Sequence, residues 1–150
     1  MRYAQDTTVS VEKSKGEIER LLTRYGATEF ASGWRSEKAM IQFRMKGRWI
    51  RFVLPLPKKE DFRSTPSGRR SRNEGATLIA FEQGCRQRWR ALTLSIKAKL
   101  ESAESGIEEF DTAFMGQIVM PDGKTMQETA LPLIAKAYET GKMPVAMLTY

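Results

Sequence analysis

Lys46-Gly47 stands between two strand-like runs rich in apolar and aromatic side chains, residues 40–45 and 48–54. Two residues suffice to reverse an antiparallel pair. Glycine in second place suits the left-handed backbone such a turn needs, and lysine in first place suits it less well. Closing the turn on Met45 and Arg48 selects one register, and register decides which side chains share a face. Ile41 then opposes Phe52 and Phe43 opposes Ile50, which makes one face apolar. The other face sets Arg44 against Trp49 and Gln42 against Arg51, with Met40 and Val53 beyond. A weaker strand over 30–35 precedes the hairpin, and Leu54-Pro55-Leu56-Pro57 ends it because proline has no N–H for a ladder.

An apolar sheet face needs a covering layer. The candidate is a long helix from about 76 to 105, where Cys85, Trp89, Leu92, Ile96, Leu100 and Ala103 recur in steps of four and three. Ile41, Phe43, Ile50 and Phe52 are expected to meet Trp89, Leu92 and Ile96. Gly84 weakens the early turns of this helix and points to a kink or a close contact there. A shorter helix is expected near Ile18, Leu21, Leu22 and Tyr25, opened by Ser14 and Glu17 at capping-box spacing and closed at Gly26. Another is expected over 131–140, after a Pro121-Asp122-Gly123 turn. The apolar tail, 143–150, is expected to dock on the domain. The fold class is therefore α+β: a small antiparallel sheet (hairpin 40–54) packed on the long helix, with shorter helices near both ends. The length, 150 residues, fits one domain over 1–150.

Residues 58–75 are polar and long for a connection, and their Ser, Gly, Pro and Arg content buries too little apolar surface to offset ordering entropy, so a mobile loop is expected. It carries Lys58, Lys59, Arg63, Arg69, Arg70 and Arg72. Charge is also segregated further on: five cations and no anion over 86–99, then five anions and no cation over 101–111. That order opposes the helix macrodipole, so helix stability alone did not set it.

The chain has no histidine, which removes imidazole bases, Ser-His and Cys-His pairs and most zinc and non-haem iron sites. Its single cysteine, Cys85, excludes an internal disulfide and suits a reducing compartment. Cys85 lies on the apolar stripe, which favours a structural role over a nucleophile tuned by Arg86 and Arg88. Gly123-Lys124-Thr125 is not a phosphate loop, since Ile118 stands where the motif needs its first glycine. No signal-like or membrane-spanning apolar run is present, so a soluble, cytoplasmic protein without cofactor or resident metal is expected.

What remains is an excess of 25 Lys and Arg over 18 Asp and Glu, a net charge of +7, which suits an anionic partner. Guanidinium groups beside an indole on the Arg44, Trp49, Arg51 face suit phosphate neutralisation with base stacking. The competing reading buries Trp49 under a helix. The loop cations, with Arg86, Arg90 and Lys97 of the long helix, extend the nucleic-acid case, although each group alone is ordinary solvated surface. Glu101, Glu104 and Glu108 at i, i+3, i+7 offer a metal-dependent nuclease as a third reading, if the helix runs through Gly106.

Several blocks, taken together, resemble a group of small bacteriophage and prophage proteins of unknown function. They are Glu17-Ile18-Glu19, Arg24-Tyr25-Gly26-Ala27, Arg51-Phe52-Val53-Leu54-Pro55-Leu56-Pro57, Arg88-Trp89-Arg90-Ala91-Leu92, Ile96-Lys97-Ala98-Lys99-Leu100-Glu101, Pro121-Asp122-Gly123, and Tyr138-Glu139-Thr140-Gly141-Lys142-Met143-Pro144. The resemblance spans nearly all of the chain outside the basic loop. It implies a phage protein in the host bacterial cytoplasm and carries no catalytic residue. It favours two roles, handling phage nucleic acid or inhibiting a host defence or transcription protein; the charge distribution itself puts non-catalytic binding of single-stranded DNA slightly ahead of duplex.

Overall fold

A computed structural model describes residues 4–145. The elements run α1 (Val11–Arg24), β1 (Glu29–Arg35), β2 (Lys38–Met45), β3 (Arg48–Pro55), α2 (Glu74–Glu104), α3 (Phe110–Ala113) and α4 (Met126–Thr140), with 3-10 turns at Lys59–Phe62 and Met115–Gln117. This is the α+β layout expected from the sequence.

The hairpin closes on Met45 and Arg48, and Ile41 faces Phe52, Phe43 faces Ile50, Gln42 faces Arg51 and Arg44 faces Trp49. Lys46 takes φ 50° and Gly47 φ 75°, so the turn is left-handed at both positions and lysine accepts the less favourable one. β1 adds to β2 antiparallel, giving the order β1-β2-β3.

The apolar face meets the helices as its pattern requires. Ile41, Phe43, Ile50 and Phe52 share one core cluster with Ile18, Leu22, Trp89, Leu92, Ile96, Leu100 and Phe114. Phe114 stands edge-on to both Phe43 and Phe52, with ring centroids 6.0 and 6.2 Å away. Cys85, at the start of the stripe, is only half-buried.

Several boundaries differ from the expectation. α1 opens at Ser10, whose hydroxyl accepts from the Lys13 N–H; Ser14 lies one turn inside, fully buried. Polar spacing at Ser14 and Glu17 imitated a cap, but Ser14 is the small residue at the contact with Thr93 of α2. α4 starts at Met126 directly behind the Thr125–Glu128 capping box and runs through Pro132. α2 ends at Glu104, because Gly106 adopts φ 79° and turns the chain away. Of the tail, residues 146–150 lie outside the described residues.

Gly84 marks a close contact. The Phe62 ring lies against it and packs edge-on to Phe81, fastening the 3-10 turn to α2. The basic segment is thereby given local structure: Ser64 bridges Ser71, and Arg72 donates to the carbonyls of Phe62 and Ser64.

Candidate nucleic-acid interface

Strand parity assigns the outer sheet face four cross-strand rows: Arg35–Lys38–Pro55, Gly33–Met40–Val53, Ala31–Gln42–Arg51 and Glu29–Arg44–Trp49. Among the described residues no helix buries the middle of it. Trp49 keeps 36% of its surface, Met40 37% and Val53 42%, whereas Trp89 on the core stripe keeps 3%. The reading that buries Trp49 under a helix does not hold for this fold.

The Arg44 guanidinium lies 5.8 Å from the centroid of the Trp49 ring, a cation–π geometry that pre-orders both groups. Arg44 also approaches Glu29 at 3.8 Å, and an ion pair this open is worth little. Arg51 is more committed. Its Nε donates to Gln42 Oε1 at 3.0 Å, and its Nη1 donates to the Gly123 carbonyl at 2.9 Å, tying the Pro121-Asp122-Gly123 turn to the sheet. That turn follows a segment that bridges the start of the β3 edge, where the Val119 N–H donates to the Trp49 carbonyl at 2.8 Å.

Arg35 and Lys38, both exposed, belong to the same face and escaped the sequence reading. The signal was available. Extending the alternation of β1 and β2 as far as the turn at Ser36 and Glu37 puts both cations on the Arg44 side.

The other candidate cations lie elsewhere, and most of them have partners. Lys58 pairs with Glu37 at 3.4 Å. Lys59 and Arg63 converge on Glu74, at 3.4 and 3.1 Å. The Arg63 hydrogen bond, with the Lys59 ammonium second, holds the Glu74 carboxyl below its ordinary range. Arg72 caps carbonyls of its own loop, Arg86 donates twice to Gln83 Oε1, and Arg90 pairs with Glu17 of α1. Arg69, Arg70 and Lys97 are exposed. Because α2 packs on the inner face of the sheet, Arg86, Arg90 and Lys97 belong to the opposite layer from Trp49. The candidate cations therefore form a sheet-face group, a loop group and a helix group.

Three of the five anions in the acidic segment make internal contacts. Glu101 accepts from the Tyr25 hydroxyl at 2.6 Å, Asp111 accepts from Arg48 at 3.1 Å, and Glu108 accepts from Ser102 at 2.9 Å. Two of the five anions are thus engaged outside the segment, by Tyr25 at the end of α1 and by Arg48 beside the hairpin turn. With α2 ending at Glu104, Glu108 leaves the helical face that a three-carboxylate metal site required. Among the described residues no group of three or more metal-ligating side chains converges. Burial pushes the Cys85 thiol up despite Arg86 beside it, the reverse of what a thiolate nucleophile needs. No helix of the described residues is long and apolar enough to cross a membrane. No family model, curated protein or solved structure matches the chain.

Proposed function

We propose that this chain is a non-catalytic nucleic-acid-binding protein that holds single-stranded DNA on the outer face of its sheet. The observation that carries the reading is Trp49, partly exposed at the sheet surface with the Arg44 guanidinium 5.8 Å from its ring centroid. A base stacks on an exposed indole whatever its identity, and cations around it neutralise the adjoining phosphates. Arg35, Lys38 and Arg44 supply those cations, while Arg51 supplies geometry by fixing the neighbouring turn. Met40 and Val53 extend the apolar strip on which further bases lie. Exposed Arg69 and Arg70 of the basic loop add longer-range attraction that carries no sequence information.

The test is a titration of the full chain with labelled single-stranded and duplex oligonucleotides at several salt concentrations. Neutralising about four phosphates gives a log–log salt slope near −3 on single strands. Failure to bind either form at low salt would turn attention to the protein-inhibitor role.

A further inference from the structure

Among the described residues no strand pairs with the outer edge of β1. The corresponding edge of β3 is bridged at Trp49 and Ile50 by Ile118 and Val119. The ladder fixes which groups of β1 face outward. The Leu56 N–H donates to the Glu37 carbonyl at 2.7 Å, so Ala39, Ile41 and Phe43 direct their backbone groups to β3, and Met40, Gln42 and Arg44 direct theirs to β1. The same alternation turns the N–H and C=O groups of Phe30, Ser32 and Trp34 outward. The Trp49 carbonyl, which faces away from β2, follows this rule. Such an edge is a template for another strand. β1 lacks the usual guards: Glu29–Arg35 contains no proline or lysine, and its register with β2 runs unbroken.

We propose that two copies of this chain pair antiparallel through β1, with Ser32 on the two-fold axis. The sequence of β1, EFASGWR, is complementary to itself in that register. Glu29 of one copy opposes Arg35 of the other, Phe30 opposes Trp34, Ala31 opposes Gly33, and Ser32 opposes Ser32. Opposite charges thus meet at both ends. The two aromatic pairs lie on the core side, where Trp34 is 75% exposed in the single chain, and the small residues meet on the outer side. Sliding the strands by two residues in either direction separates both charge pairs and sets an aromatic ring against Ser32. Phe30, Ser32 and Trp34 are also the residues whose backbone groups face outward, so this register forms a regular ladder. The product is a six-stranded sheet with both outer faces on one side. One strand pair is a small interface by the standard of stable complexes, so the dimer depends on concentration.

Sedimentation of the full chain across the micromolar range should show a monomer–dimer equilibrium. Glu29→Arg places like charges at both ends and should weaken association about tenfold or more, and Glu29→Arg with Arg35→Glu should restore it to within about threefold. An independent variant, Ser32→Cys with Cys85→Ser, should form a covalent dimer on mild oxidation, since the Cα atoms of a hydrogen-bonded pair lie about 5.5 Å apart, within disulfide reach. A chain that stays monomeric throughout, a dimer indifferent to the charge swap, or a Ser32→Cys chain that does not cross-link would overturn the proposal. A chain that is monomeric alone but captures an unrelated strand at the β1 edge would overturn it too.

Discussion

The tip of the Phe62 ring occupies the space a side chain on Gly84 would fill: a Cβ there would stand 2.6 Å from Phe62 Cζ. Glycine in the middle of α2 is thus explained by the loop that rests on it. Alanine would favour the helix by about 1 kcal/mol and would displace the ring. The ring ends a single side chain on a short turn, so it should swing out while the helix stays straight. Gly84→Ala should therefore leave the global urea midpoint nearly unchanged and speed tryptic cleavage at Arg69 and Arg70. Unaltered cleavage would show that the ring does not anchor the loop.

Glu74 closes the same loop onto the first turn of α2. Its carboxyl is held below its ordinary value of 4.5 by Arg63 first and Lys59 second. A depressed carboxyl contributes stability that is complete above 4.5 and is lost as pH falls through its lower folded value. Glu74→Gln should accordingly be less stable than wild type near neutrality and indistinguishable from it in strong acid. A difference that persists in acid would assign the effect to something other than charge.

Tyr25 and Glu101 join α1 to the end of α2, and here the sign is opposite. The Tyr25 hydroxyl is raised above 10.0, chiefly because it donates to the Glu101 carboxylate. Its contribution is complete below 10.0 and disappears as pH rises through the folded value. In alkaline titration by ultraviolet absorbance, one tyrosinate should form late in wild type. Tyr25→Phe should remove that late component, and Glu101→Gln should shift it earlier.

Much of this was legible in the sequence because it rests on one two-residue turn and one helical stripe. The Lys46-Gly47 turn fixed every pair from Met40–Val53 to Met45–Arg48, and the four-three spacing of Trp89, Leu92, Ile96 and Leu100 fixed the covering helix. Helix starts were less legible. Ser10 and Ser14 both offer a hydroxyl, and only packing against Thr93 decides which one caps and which one is buried. The cations were least legible of all. Lys59, Arg63, Arg72 and Arg90 look available as letters, yet each is engaged by Glu74, Glu17 or a loop carbonyl across distances the sequence does not show. Arg35 and Lys38 were missed because the turn between them hid their shared parity.

Arg51 separates geometry from charge at the candidate site. Arg51→Lys keeps one positive charge but cannot span Gln42 and Gly123 with a planar fork. It should cost about 1–2 kcal/mol of stability through two weakened hydrogen bonds. It should lower oligonucleotide affinity while leaving the salt slope unchanged. A slope lowered by about one unit would make Arg51 a phosphate contact instead.

The central claim concerns Trp49, and one variant measured two ways tests it. Trp49→Ala should lose about 1–3 kcal/mol of single-strand affinity through lost stacking. In urea unfolding it should lose less than about 2 kcal/mol, against about 3–5 kcal/mol for Trp89→Ala in the core. A folded Trp49→Ala protein that binds single-stranded DNA as tightly as wild type would contradict the account.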